Sequence, residues 1–180
     1  MTAALGDCPN CGTPRQPGDA FCEVCGLDWA TGQLPVAPDP VGPAGEVEAG
    51  WAVTLTPDRE WFDRNEAEGG AVVAFPDGVA ARVVALDAEV ATIGRRDDRN
   101  GWYPDIDLGH PVDDLGASRR HAELRWTATG WQLVDTGSTN GTRHNGELLT
   151  ADHPVALAPG DIVLLGAFTR LELVAPGAGE

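Results

Sequence analysis

Four cysteines stand near the start of the chain as Cys8-x2-Cys11 and Cys22-x2-Cys25, with ten residues between the pairs. Each Cys-x-x-Cys can close a tight turn that aims two thiolates at one ion. Gly12 and Gly26, directly after the pairs, tolerate the special backbone angles such a turn can need. Four thiolates around a tetrahedral zinc form a closed site with no open coordination position, so the chemistry expected is structural. A segment of this size (1–30) buries little apolar surface, and metal binding would supply most of its folding energy. Disulfides or a redox Cys-x-x-Cys pair are the alternatives. The doubled motif at short spacing, and the lack of a basic-then-apolar secretory run at Met1–Asp7, weigh against both. One structural zinc per chain, held by Cys8, Cys11, Cys22 and Cys25 in a small zinc ribbon, is the expectation.

A second set of chemistry-bearing residues lies on loops: IGRR at 93–96, GASRRHAEL at 116–124 and DTGSTNGT at 135–142. Arg95, Arg96, Arg99, Arg119, Arg120 and Arg143 are half of the 12 basic residues, in a chain with 28 acidic ones and a formal charge of −16. Cations gathered in so acidic a chain suggest a local anion site. The plain alternative is that they pair with Asp97, Asp98, Asp113 and Asp114 and only solvate the loops. The motifs separate the two readings. Gly94-Arg95, Ser118-Arg119-Arg120-His121 and Ser138-Thr139-Asn140-Gly141 occur in that order, each on a loop. Together they resemble the Gly-Arg, Ser-x-x-His and Ser-x-Asn-Gly pattern of the forkhead-associated (FHA) domain. IDL at 106–108, Asn145-Gly146 and Gly160-Asp161 add to the likeness, which runs from Trp51 to Val174.

The resemblance implies an all-β, FHA-type β-sandwich of about eleven strands that recognises phosphothreonine in partner proteins, a kinase or a kinase substrate. It implies that Arg95 and Ser118 bind the phosphate, that Arg119 adds a second cation, that Thr139 lies beside the phosphate and that Asn140 holds the peptide main chain. Gly94, His121 and Gly141 are implied as structural support, with Gly94 letting the arginine loop turn and His121 pinning the serine loop. Some FHA proteins bind a phosphothreonine in their own N-terminal segment. Thr31, at the start of the linker, is the candidate for that here. Phosphothreonine carries about −1.5 to −2 charges and three acceptor oxygens, which loops at one end of a rigid sandwich can meet from several directions.

The elements that must position these loops have period two. In HAELRW (121–126), Ala122, Leu124 and Trp126 face one way and His121, Glu123 and Arg125 the other. WQLVD (131–135) sets Trp131 and Leu133 against Gln132 and Val134. DIVLLG (161–166) and FTRLELV (168–174) are strand candidates joined at Gly166-Ala167. VAARVVAL (79–86) and EVATIG (89–94) form a further pair around Asp87-Ala88, and HNGE (144–147) is a hairpin signal. Thr56-Pro57-Asp58 is the one helical hint, a cap with proline in the first helical position and a short turn over 57–64. The layout expected is a ribbon at 1–30, a flexible Pro/Gly/Ala-rich linker at 31–50, the FHA domain at 51–175 and a disordered tail at 176–180.

Composition excludes much else. There is no lysine, so no P-loop, Schiff-base or kinase lysine can be built. Ser118 and Ser138 are the only serines, and neither sits in G-x-S-x-G. With the cysteines committed to zinc, no enzyme is expected. The acidic field disfavours general nucleic-acid binding. No run reaches the roughly 18 apolar residues of a membrane span, and the expected location is the cytoplasm. The expected function is that of a phosphothreonine-dependent adaptor in Ser/Thr kinase signalling. The alternative is an FHA-fold assembly module that does not need phosphate.

Overall fold

The period-two runs form two antiparallel-rich sheets in the computed structural model, which describes residues 6–9, 13–15, 20–22, 27–32, 50–69 and 73–177. The chain divides into two compact units, Met1–Asp39 and Pro40–Glu180. In the second unit the order is β1 (Ala52–Pro57), α1 (Arg59–Ala67), β2 (Arg82–Ala85), β3 (Val90–Gly94), β4 (Ile106–Asp107), β5 (Ala122–Thr127), β6 (Gly130–Asp135), β7 (Arg143–His144), β8 (Glu147–Leu148), β9 (Val155–Ala156), β10 (Ile162–Leu165) and β11 (Thr169–Val174). One sheet has strand order β2-β1-β11-β10-β7-β8, the other β4-β3-β5-β6-β9. All pairings are antiparallel except β3 with β4. Among the described residues the fold is all-β, with eleven strands and one short helix.

Alternation along the strands supplies the core. Val53 and Leu55 of β1, Ile93 of β3, Leu124 of β5, Leu133 of β6, Val163 and Leu165 of β10, and Leu171 and Leu173 of β11 are all buried in one cluster. Each such side chain contributes about 1.5–3 kcal/mol by leaving water. Trp126 and Trp131 are cross-strand partners with ring centroids 5.3 Å apart, and Trp51 packs against Trp126 at 5.8 Å with the rings tilted by 52°. The alternation is broken at several places, as where Leu164 is buried between Val163 and Leu165. His121 precedes β5 and is fully buried, and Val134 is buried although it faces away from Leu133.

Three expectations change. The helix, Arg59–Ala67, begins two residues later than the Thr56-Pro57 signal predicts. Thr56 and Pro57 stay in β1, paired with Arg170 and Thr169, and Asp58 is the cap, its carboxylate accepting the Trp61 N–H at 2.8 Å. Pro57 fits the last rung of a strand because it has no N–H to give there. The segments 79–86 and 89–94 are not a hairpin. β2 pairs with β1, whereas β3 pairs with β4 and β5, so residues 86–89 cross from one sheet to the other. The 79–86 run also shortens to Arg82–Ala85. The Asn145-Gly146 hairpin forms as read, both residues at positive φ (50° and 90°) between β7 and β8.

The first unit contains two copies of one small hairpin. The Cys8 N–H donates to the Thr13 carbonyl and the Cys22 N–H to the Leu27 carbonyl, each at 2.8 Å. Asp7 bridges Pro14, and Phe21 bridges Asp28. Arg15 N–H closes the first hairpin on Gly6, and Trp29 N–H the second on Ala20. Every partner recurs 14 residues later, as the two Cys-x-x-Cys motifs do. Cys8, Cys22 and Leu27 are buried together, with Trp29 packed against them. Cys11 and Cys25, the glycines after them, residues 33–49 of the linker and 178–180 of the tail lie outside the described residues. Thr31 is exposed, its N–H held by Asp28.

Candidate functional site

The site is assembled from the ends of β3 and β6 and from the 113–121 loop. Arg95 follows β3. Its backbone N–H donates to the Ser118 carbonyl (3.1 Å), and its Nε donates to the Ala117 carbonyl (2.7 Å). That second bond fixes the guanidinium plane and leaves the Nη1 edge facing the Asp113 carboxylate at 3.4 Å. Gly94 is not a turn glycine. A Cβ there would run into the Arg119 carbonyl, so its role is to let β3 pass against the serine loop.

Ser118 and Thr139 meet. The Thr139 N–H donates to Ser118 Oγ (3.0 Å), and the two hydroxyls are 3.3 Å apart. Asn140 donates through Nδ2 to the Gly116 carbonyl (2.8 Å), which ties the 137–141 loop to the 113–121 loop. Arg119 donates through Nε to Asp97 at 2.8 Å, its side chain about two-fifths exposed. Arg95, Ser118, Thr139 and Asn140 are thus brought together on three linked loops. Arg119 is attached to the neighbouring 97–102 turn.

Behind these loops lie three buried polar groups. The Ser118 N–H donates to His121 Nδ1 (3.0 Å), so that nitrogen carries no proton and Nε2–H faces the Gly141 carbonyl at 3.3 Å. Burial lowers the His121 pKa, more than the nearby Asp135 and the Gly141 carbonyl raise it, and the ring is neutral. Asp135, at the end of β6, accepts from the Gly137 and Ser138 N–H groups and from the Ser138 and Thr142 hydroxyls, at 2.6–2.8 Å. Ser138 is therefore a scaffold hydroxyl. Asp114 is fully buried and accepts from the N–H groups of Gly116, Ala167 and Phe168 and from the Thr169 hydroxyl. It joins the serine loop to the β10–β11 turn, which Asn65 of α1 supports from the other side. Gly141 has φ 75°, and a Cβ there would touch Leu148.

The pairing expected of four aspartates divides. Asp113, Asp97 and Asp98 stand against Arg95, Arg119 and Arg96, at 3.4, 2.8 and 3.8 Å. Asp114 meets no arginine and serves backbone donors instead. Two residues escaped the motifs altogether. Asp135 is the acceptor that shapes the 137–142 loop. Trp102 donates through Nε1 to the Arg119 carbonyl (2.8 Å) and lies under the Arg120 guanidinium at 4.3 Å. The signal for Asp135 was present: an aspartate two residues before Gly137-Ser138 is an Asx-type acceptor for their N–H groups. No spacing rule reaches Trp102.

Charges at this end are strongly held. Asp97 has a lowered pKa, first from the Asn100 amide hydrogen bond and then from Arg119, against the opposing effect of burial. At the base of the hairpin, burial pushes Asp161 up, but the Ala158 N–H, Asn145 and His144 hold it down at about 2. Asp161 thereby locks the 145–146 turn to the start of β10, an arrangement completed by the Ile162 N–H bond to Asn145.

Residues 91–166 match the FHA domain family. The chain is 34% identical over 125 residues to the glycogen accumulation regulator GarA of Mycobacterium tuberculosis, covering 64% of this chain and 70% of that one. It is 32% identical over 124 residues to the oxoglutarate dehydrogenase inhibitor of Corynebacterium jeikeium, covering 63% and 78%. Among solved structures, full-length yeast Pml1p aligns with a TM-score of 0.50 at 15% identity, over 69% of this chain and 80% of that one, a likeness of fold. No helix among the described residues is long and apolar enough to cross a membrane.

Proposed function

Because the chain belongs to the FHA domain family, we propose that it is a phosphothreonine-dependent adaptor in Ser/Thr kinase signalling, acting in the cytoplasm by binding and not by catalysis. The observation that carries this reading is the convergence of Arg95, Ser118, Thr139 and Asn140 on three loops cross-linked to one another, with the serine loop held by a buried histidine. A phosphate placed there would take charge-assisted hydrogen bonds from Arg95 and a hydroxyl bond from Ser118, with Arg119 adding charge. Asn140 would hold the peptide main chain and Thr139 would lie beside the phosphate. Gly94, His121 and Gly141 keep these groups in place. The partner is a phosphothreonine-bearing kinase or kinase substrate. Its relatives GarA and the oxoglutarate dehydrogenase inhibitor are a regulator and an inhibitor by name, in keeping with control through binding.

The test is a pull-down from kinase-competent lysate with and without phosphatase. Capture by wild type that is lost on phosphatase treatment and in Arg95→Ala supports the reading. Phosphatase-insensitive capture favours the phosphate-independent assembly module.

The proposed domain layout is a zinc ribbon at 1–30, a linker at 31–50, the FHA domain at 51–175 and a tail at 176–180. One structural zinc bound by Cys8, Cys11, Cys22 and Cys25 fits what the first unit shows. Soft thiolate donors suit zinc. The first cysteine of each pair is buried, and each opens a hairpin of the same register. When bound, the metal would supply the folding energy that a cluster of Cys8, Cys22 and Leu27 does not. Elemental analysis of reduced protein should find one zinc per chain, absent in a Cys8→Ser/Cys22→Ser variant. Metal-free protein with an intact first unit would refute it.

A further inference from the structure

The charge pairing of the arginines is uneven in a way the phosphate site does not use. Eleven of the 12 arginines follow residue 50. Eight of these have a carboxylate within 4 Å: Arg59, Arg64, Arg95, Arg96, Arg119, Arg125, Arg143 and Arg170. Arg82 donates to the Asp107 carbonyl and is partly desolvated. The two left without a carboxylate among the described residues are Arg99 and Arg120, both exposed. With 28 acidic residues in the chain, an exposed arginine normally finds one, and elsewhere in this unit it does. The two that do not are on adjoining loops at the phosphate end.

These two loops are joined into one shelf. Asp97 and Trp102 close the 97–102 turn on each other. The Asp97 carboxylate accepts from the Arg99 N–H (3.2 Å), Asn100 Nδ2 (2.7 Å) and Arg119 Nε (2.8 Å), so its oxygens are committed and do not compensate the Arg99 side chain. Trp102 pins the turn to the serine loop through the Arg119 carbonyl and supports the Arg120 guanidinium on its ring face. A guanidinium stacked in this way keeps its edge donors available for a planar two-oxygen anion. Arg119, next to Ser118, links the shelf to the phosphate loops.

We infer that Arg99 and Arg120 form a second anion subsite, which selects phosphothreonine peptides carrying a further negative group a few residues from the phosphothreonine. The inference rests on the phosphothreonine reading and names the class of partner it favours: acidic phosphopeptides. The anion is a carboxylate or a second phosphate, since both match the same donor edge. The acidic character of the rest of the molecule sharpens the selection, because an acidic peptide that misses the shelf meets like charge.

The experiment compares the full chain with its Arg99→Gln/Arg120→Gln variant in anisotropy titrations. Four otherwise neutral phosphothreonine peptides are used: one with no acidic residue, one with two glutamates before the phosphothreonine, one with two after it, and one doubly phosphorylated. An unphosphorylated version of each is the control. The glutamates on one side should tighten binding by about threefold to tenfold, the worth of one or two partly screened charge pairs. The gain should disappear in the variant while affinity for the neutral phosphopeptide is unchanged. The doubly phosphorylated arm shows whether phosphate outbids carboxylate at the same shelf. Equal affinity for the neutral and all acidic phosphopeptides, or a gain that survives in the variant, overturns this inference alone. Loss of phosphorylation dependence with the neutral peptide overturns the phosphothreonine reading and this one with it.

Discussion

Asp113 and Asp114 are sequence neighbours in opposite regions of the site. Asp114 points into the protein, is fully buried and holds four donors from two loops. Asp113 points out, is exposed and faces Arg95 at 3.4 Å. The same contrast separates Asp135, buried behind the 137–142 loop, from the exposed Asp98. The inner carboxylates build the loops, and their oxygens have no spare capacity. The outer one on Arg95 occupies the edge that a phosphate would need and can be exchanged for it. An acidic chain can therefore keep an anion site, because the buried carboxylates near it are taken up by backbone, amide and arginine donors, and the one facing Arg95 is itself exposed.

Removing an inner carboxylate should have the largest effect. Asp114→Ala leaves four buried donors without an acceptor, at about 1–3 kcal/mol apiece, and should lose at least about 3 kcal/mol of stability in urea unfolding; Asp135→Ala strands one buried donor and three part-buried ones and should lose somewhat less, about 2 kcal/mol. Asp113→Asn should lose almost none. If both kinds of variant unfold alike, the division between builder and placeholder is wrong.

Next in size is the binding loss. Arg95→Ala and Ser118→Ala should each weaken phosphopeptide binding by about 1.5–3 kcal/mol, the range of a charge-assisted hydrogen bond, with unchanged urea midpoints. A matching drop in stability would move Arg95 from the ligand side of the comparison to the scaffold side.

His121 gives a pH signature for the inner region. Its folded pKa is lowered, so the unfolded chain binds the proton more readily, and stability falls as pH drops below the unfolded value of about 6.5. In peptide-free protein, ring NMR should show His121 still neutral below that unfolded value. Protonation of His121 at or above that value in the folded protein would contradict the buried Nδ1 acceptor. Peptide binding also weakens below about pH 6 as the phosphate takes its second proton, which is why the stability measurement is made without peptide.

The smallest effect belongs to the outer carboxylate. Asp113→Asn removes a competitor and a like charge beside the phosphate, and should tighten phosphopeptide binding by less than about 1 kcal/mol, as suits an exposed pair. The gain should shrink at high salt. Weaker binding in this variant would show that Asp113 orients Arg95 and does not compete for it.

Sequence was most informative where a local rule has one physical solution. The alternation at 122–126 and 131–133, the 162–165 and 169–174 pair, and Asn145-Gly146 at positive φ all follow from side-chain period or turn stereochemistry. The loop motifs likewise named the residues that converge. Strands β4, β7, β8 and β9 have two residues each, too few to show a period. The crossing at 86–89 was misread as a hairpin because Asp87-Ala88 resembles a turn, and pairing partners are decided far away in sequence. Gly94 was read as a turn glycine, but the constraint on it is the Arg119 carbonyl from another loop. Asp113 and Asp114 are chemically identical in the sequence, and only the packing of the β10–β11 turn tells them apart.

The central claim is tested most directly by titrating wild type and Arg95→Ala with one peptide in threonine and phosphothreonine forms, at fixed salt and pH 7.5. The expected result is binding by wild type to the phosphothreonine form alone, weakened about tenfold or more in Arg95→Ala, in line with the loss of a charge-assisted bond. Equal affinity of wild type for the two forms, or full affinity in Arg95→Ala, would contradict it.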